Sequence, residues 1–314
     1  MDTKIQNFKK SALAFSCAFA WAFAFPLIKL GISEFNIHSE DVAAKILFAG
    51  IRFFSAGILV WTISSFSRKN KIIDNMKTVF LILAFGLINI SLHYGFYYIG
   101  LSRLSGSRSA VIDSLSTFIL IAISCILFKD EHFTVNKAVG CILGISGIIT
   151  VNIGSGQDSA FSLGGDGMLI LSAVFSAFGG ILTRIVSKKT DILNATGISL
   201  FFGGGIMIIS GLIFGGRLST VTPEGIFILF CLTLISVYGF SIYNYLLSKY
   251  PVGEIAIFNS LIPIMGVIVS CIILNEPFKA QYIIAGILVS LGVYIINSQE
   301  FVIQKRRSKA YEKE

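Results

Sequence analysis

The sequence predicts an all-α integral membrane protein of ten transmembrane helices, arranged as two inverted five-helix repeats with both termini in the cytoplasm. Three observations carry this. Hydrophobic residues make up 54% of the chain against 13% charged, with a mean hydropathy of +0.82, far from the roughly one-quarter charged content of soluble domains. Ten apolar runs are long enough to cross a bilayer as helices. A single ungapped shift aligns SLSTFILIAISCILFKDEHFTVNKAVG (Ser114 to Gly140) with SLIPIMGVIVSCIILNEPFKAQYIIAG (Ser260 to Gly286), the mark of a duplicated unit.

A spanning helix needs about 20 apolar residues. The runs are Ser11 to Ser33, Ala43 to Phe66, Val79 to Leu101, Ser107 to Phe128, Thr134 to Ile153, Gly165 to Ser187, Asn194 to Gly215, Gly225 to Leu247, Gly253 to Leu274 and Phe278 to Asn297, here called segments 1 to 10. Transmembrane strands would be about half as long and alternate in polarity. The division is 1–153 for the first repeat, 154–164 for the linker, 165–297 for the second repeat and 298–314 for a basic tail. Lys and Arg collect on the side of the termini: Lys4, Lys9, Lys10, Arg68, Lys69, Lys71, Lys77, Lys129, Lys137, Arg184, Lys188, Lys189, Lys249 and the tail cations. The other side holds Lys45, Arg103, Arg108, Arg217 and Lys279. Cytoplasmic loops retain basic residues, which sets the orientation.

The halves match beyond the opening stretch. Phe53-Phe54 aligns with Phe201-Phe202, Tyr94-Gly95-Phe96 with Tyr238-Gly239-Phe240, and Ala22-Phe23 before Lys29 with Ala177-Phe178 before Arg184. Repeats with an odd number of spans face opposite ways, the plan of secondary transporters, and such a plan places a small-molecule site between the halves near the midplane. Gly140, Gly144, Gly147, Gly286 and Gly292 offer small faces for close helix packing.

The formal charge of +8 points to anionic lipid headgroups rather than nucleic acid, because the cations lie in short clusters between apolar runs. Cys17, Cys125, Cys141, Cys231 and Cys271 sit inside apolar runs without metal-ligand spacing, so they read as small buried hydrophobes, with no metal or cofactor implied. An ATP-driven pump would need a GxxxxGK[ST] loop, and an intramembrane enzyme an HExxH or GxSxG motif; none occurs. The reading is therefore not an enzyme.

Several residues together resemble a known family: WAFAFPLIK from Trp21 to Lys29, Arg52-Phe53-Phe54 within segment 2, Thr183-Arg184 closing segment 6, and Pro263 through Glu276 to Gly286 and Gly292. They resemble the EamA domain of the drug/metabolite transporter superfamily, in two tandem copies over nearly the whole chain. The resemblance implies a ten-helix transporter of the bacterial inner membrane, with segments 1, 3, 4, 6, 8 and 9 around a central cavity. It implies export of amino acids or related small metabolites, with uptake or exchange of a larger metabolite such as a nucleoside derivative as the alternative. In segment 4 the family's usual proline is Thr117, whereas its counterpart Pro263 is present, so the two hinges are expected to bend unequally.

Ionisable groups inside a membrane are functional candidates by default. Lys29 and Arg184 lie near segment ends, where long cations snorkel. Arg52 lies about 13 Å and Asp113 roughly 9 Å into their segments at 1.5 Å per residue. Asp113 needs a partner, which Arg52 or His93 could supply as a structural ion pair. The sharper reading is that the cluster binds the ends of a zwitterion, or that Asp113 exchanges protons to couple transport. In the second half the counterparts of Arg52, His93 and Asp113 are Leu200, Val237 and Asn259. The expected site is thus asymmetric, with neutral Asn259, Tyr238, Tyr243 and Asn244 facing the charged half. Tyr94 and Tyr238, if both face the cavity, would suit an aromatic cargo or a cation held by ring faces. Asp130 and Glu276 read as caps for the helices that come after them.

Overall fold

The computed structural model describes residues 2–66, 75–127, 134–152, 161–250, 255 and 257–311; among them every regular element is helical. The helices are α1 (Asp2–Glu34), α2 (Val42–Ser65), α3 (Met76–Arg103), α4 (Gly106–Leu127), α5 (Val135–Asn152), α6 (Leu163–Ser187), α7 (Ile192–Ile213), α8 (Pro223–Lys249), α9 (Leu261–Ile273) and α10 (Ala280–Tyr311). Seven of them, α1 to α4 and α6 to α8, are long and apolar enough to cross a membrane, while Val135–Thr150, Leu261–Ile273 and Ala280–Ile295 are shorter apolar helices. In segment 9, a 3-10 turn over Ile257–Ser260 leads into α9. The backbone of α10 stays helical to Tyr311, through most of the stretch read as a tail.

Local chemistry sets the helix starts. Asp41, Ser105, Asp191 and Thr222 each accept a hydrogen bond from a backbone N–H in the first turn of α2, α4, α7 and α8, satisfying a donor that has no intrahelical acceptor. Pro223 opens α8, where its missing N–H is not needed. The outward faces keep large apolar side chains exposed, among them Ile58, Ile63, Ile209, Leu212, Phe227 and Phe230, as a chain solvated by lipid requires.

The tightest packing is between α2 and α7, which run antiparallel with their backbones nearly touching. A Cβ on Gly57 would lie 2.2 Å from the Phe201 nitrogen, one on Gly204 2.3 Å from the Phe54 nitrogen, and one on Gly197 2.7 Å from the Trp61 nitrogen. Gly197, Gly204 and Gly211 recur two turns apart, so all three face the same seam. The α5 and α10 pair is built the same way, with Gly292 on the Gly140 carbonyl and Gly147 on that of Ala285. Around these pairs α1 lies along α8 and α9, α6 along α3 and α4, and α4 against α9.

The helical ladder is irregular at equivalent places in the two halves. In α4 the ladder opens at Ser114: the Thr117 N–H bonds the Ser114 carbonyl at 3.1 Å, and the Asp113 carbonyl is taken by the Ser116 hydroxyl at 2.8 Å. In the second half Pro263 has no N–H to give to the Asn259 carbonyl, and the chain there is a 3-10 turn. The break thus precedes Thr117 rather than falling on it, and both halves have one. Hydroxyls do in the first what proline does in the second.

Candidate functional site

A cavity of about 260 Å³ occupies the middle of the bundle, walled mainly by α1, α3, α4, α6, α8 and α9. Its lining on α6 runs from Ser176 to Ser187 and on α8 from Phe240 to Leu247, so it reaches the last turns of both helices. At the opposite end, where α3 turns into α4, the bundle is closed. There the Glu276 carboxylate accepts hydrogen bonds from the Gly106 N–H (2.7 Å), the Ser107 N–H (3.1 Å), the Ser107 hydroxyl (2.8 Å) and, at 3.4 Å, Lys29 Nζ. Lys29 Nζ also donates to the Leu104 carbonyl at 2.8 Å. Glu276 therefore caps α4, from the other half of the chain, rather than the helix next to it in sequence. Asp130 lies outside the described residues. Beside this network the wholly buried Arg108 and Asp166 form an ion pair at 2.7 Å, and Asp166 also accepts the Ser162 N–H.

Arg52 is 2% exposed and lines the cavity. Its Nε donates to the Leu232 carbonyl (3.1 Å) and the Ser236 hydroxyl (2.8 Å), its Nη1 donates to the Tyr98 hydroxyl (3.1 Å), and the group lies over the Phe53 ring at 4.9 Å. Among the described residues Nη2 has no hydrogen-bond partner. Asp113 also lines the cavity, at the break in α4, and among the described residues no hydrogen bond or ion pair joins it to Arg52 or His93. The expected structural ion pair is thus replaced by two separate groups: Arg52 is held by neutral acceptors and Asp113 faces the space between. Tyr94 lines the same cavity as Arg52 and Asp113. His93 is buried, its Nδ1 3.2 Å from the Asn89 carbonyl and its ring centroid 4.2 Å from that of Tyr94.

The second half contributes neutral groups. Asn259 donates to the Tyr243 hydroxyl at 2.8 Å, and Asn244 donates to Thr196 at 2.9 Å; all but Thr196 line the cavity. Pro263 lines it, as does Thr117. Tyr238 does not: it is 39% exposed on the outer face, where its hydroxyl meets that of Ser16 at 2.6 Å. Its counterpart Tyr94 packs at the cavity against Phe53 and Phe240. The difference has a backbone cause, for α3 carries a π-helical stretch over Leu87–Leu92 and α8 is α-helical throughout. One extra residue in a π turn rotates the remainder of the helix by about 100°. Gly179 gives that bulge room, since a Cβ there would lie 2.0 Å from Asn89 Oδ1.

Lys29 is placed at the closed end and is not part of the lining. Lys137 and Arg184, read from the sequence as basic residues at the membrane edge, line the cavity; Lys137 is 5% exposed and lies 3.5 Å from Cys125 Sγ. Trp21, Phe25 and Tyr97 complete the aromatic wall. The helical spacing of Trp21 and Phe25 is a sequence signal for that wall, whereas the Arg108–Asp166 pair and the Glu276 cap have none.

A family profile described as the EamA-like transporter family matches residues 9–153 and again 163–298. The chain is 25% identical over 262 residues to a WAT1-related chloroplastic protein of Arabidopsis thaliana, covering 80% of this chain but 62% of that one. It is 23% identical over 300 residues to a probable amino-acid metabolite efflux pump of Salmonella typhimurium, covering 91% of this chain and 94% of that one. A crystal structure with 13% identity superposes with a TM-score of 0.65 over 90% of this chain and 96% of the other, which supports the fold alone. With the same profile matching both halves around one central cavity, the chain belongs to the EamA-like transporter family.

Proposed function

We propose that the protein is a secondary transporter of the bacterial inner membrane that exports amino acids or related small metabolites by alternating access. In this reading all ten helices cross the membrane as two inverted five-helix repeats, and both termini are cytoplasmic. Helix packing supports the repeat: exchanging each helix for the one five places on leaves the pairs α1–α8 and α6–α3, α1–α9 and α6–α4, α2–α7, α5–α10 and α4–α9 unchanged as a set.

The observation that carries the cargo class is the presence, in one cavity lining with aromatic rings, of a guanidinium with an unused nitrogen and a carboxylate that neither Arg52 nor His93 engages. Arg52 suits a carboxylate and Asp113 an ammonium, while Trp21, Tyr94, Phe240 and Tyr243 accommodate an apolar or aromatic side chain. A volume of about 260 Å³ lies at the foot of the range for drug-sized ligands, roughly 300–1,000 Å³, and favours a small cargo over a nucleoside derivative. The relative named an amino-acid metabolite efflux pump agrees with this. Asp113, facing the cavity, is the group proposed to exchange protons.

The test is flux into proteoliposomes loaded with unlabelled cargo, using a panel of amino acids, amines and nucleoside derivatives with and without a pH gradient. Saturable exchange of amino acids is the expected result. Unsaturable flux would indicate a channel, and selective exchange of nucleoside derivatives would replace the cargo class.

A further inference from the structure

The geometry points to Ser236 and Tyr98 as positioning residues for an anion subsite at Arg52: they fix the guanidinium so that Nη2, with both of its N–H donors unused, is turned to the carboxylate of the cargo. The assignment rests on the reading of the cavity as an amino-acid site.

A guanidinium has five N–H donors in one plane, and the way each is used defines what it can still bind. The Nε–H of Arg52 is shared between the Leu232 carbonyl at 3.1 Å and Ser236 Oγ at 2.8 Å. Ser236 gives its own proton to the Leu232 carbonyl, also at 3.1 Å, so its lone pairs are left for Arg52. One of the two Nη1–H donors is held by the Tyr98 hydroxyl, and one face of the plane is covered by Phe53. Ser236 and Tyr98 have no exposed surface, and the Tyr98 ring is set against Phe48 at 6.0 Å. Each hydrogen-bonding partner of Arg52 among the described residues comes from α3 or α8, none from α2 that carries it.

This arrangement has two consequences. The charge at this wall is set by Arg52, but its direction is set by two neutral hydroxyls together with the Leu232 carbonyl, so removing either hydroxyl leaves the charge in place and loosens the plane. A strongly directional contact then becomes a loosely held cation, and the loss falls on cargo that presents a carboxylate. Because Ser236 stands in the second half and Arg52 in the first, the subsite is completed only while α8 lies against α2.

The test uses the full-length protein in nanodiscs with L-phenylalanine and L-phenylalaninamide as probes, comparing wild type, Ser236→Ala, Ser236→Thr, Tyr98→Phe and Arg52→Gln. Loss of a hydrogen bond that orients a charged group should weaken phenylalanine binding roughly fivefold or more in Ser236→Ala and in Tyr98→Phe. Phenylalaninamide binding should stay at the wild-type value, and Ser236→Thr should restore phenylalanine binding. If the two probes weaken together with a fall in melting temperature, the residues are structural and the assignment is overturned. It is equally overturned if phenylalanine binding survives in both hydroxyl variants while Arg52→Gln abolishes it, an outcome that leaves the amino-acid reading intact. Failure of the wild type to bind phenylalanine overturns the amino-acid reading and this assignment with it.

Discussion

Replacing Glu276 with alanine should open the closed end of the cavity. The carboxylate accepts three hydrogen bonds of 2.7 to 3.1 Å from Gly106 and Ser107 and a longer one from Lys29. Gly106 and Ser107 are buried, so their backbone donors would lose their acceptor where water is scarce. A hydrogen bond to a charged group contributes about 1.5–3 kcal/mol net. These bonds share one acceptor group and are not additive, and about 3 kcal/mol for the set is a conservative total. At 1.4 kcal/mol per factor of ten, that shifts the ratio of closed to open forms by roughly 100-fold. Glu276→Gln keeps one acceptor oxygen and loses the charge, so an effect of roughly tenfold is expected. The assay is labelling by a membrane-impermeant maleimide added on the side of the α3–α4 connection. The reporter is a cysteine at Ile28, which lines the cavity with no exposed surface, in a background with the five native cysteines replaced. Labelling should accelerate in the order wild type, Glu276→Gln, Glu276→Ala. An Ile28→Cys reporter that reacts no faster in Glu276→Ala than with Glu276 present would refute the idea that this cap seals the cavity.

Three further outcomes can be checked. Asp113→Asn should abolish flux driven by a pH gradient while cargo exchange at equal pH persists; wild-type rate and unchanged pH dependence would remove Asp113 from coupling. Gly179→Val should drive the side chain of Asn89 out of place, costing about 1–3 kcal/mol by overpacking and reducing exchange more than tenfold, which melting curves and flux together would show. Asp166→Ala leaves a buried guanidinium without its carboxylate. Breaking such a pair costs about 3–5 kcal/mol, and since Arg108 keeps further interactions the lower figure is expected, read as a fall in melting temperature larger than that of Asp166→Asn.

The helical class, the apolar runs and the family are legible in the sequence because each depends on residue type at short range: hydropathy over a window, or a motif such as WAFAFPLIK. The presence of Arg52, Asp113 and Asn259 at one cavity is legible for a related reason, since counting along a run gives the depth of the first two and the repeat alignment gives the third as the counterpart of Asp113. What does not show is rotation about a helix axis after an irregular turn. Nothing in LINISL announces a π-helical stretch, so equivalent tyrosines at 94 and 238 look alike in sequence and end on opposite surfaces. Pairing across long separations is hidden for a different reason. Glu276 reads as a local cap because capping is usually local, but its donors are carried by α4. Arg108 reads as a basic residue on the side away from the termini, and no signal in the sequence links it to Asp166 at the start of segment 6 until the fold brings the two to 2.7 Å.

The two irregular stretches differ in a way that matters for a cycle. The break before Pro263 is covalent in origin: no rearrangement can supply the missing N–H to the Asn259 carbonyl. The break at Ser114 is made from exchangeable bonds, with the Thr117 N–H on Ser114 and the Ser116 hydroxyl on Asp113. Returning that N–H to the Asp113 carbonyl would remake a regular turn and swing the Asp113 side chain relative to the cavity. One half of the molecule thus holds a fixed elbow and the other a reversible one. In the proposed alternating-access cycle this construction would give the two reorientations unequal barriers, and the carboxylate that lines the cavity rides on the element that can straighten.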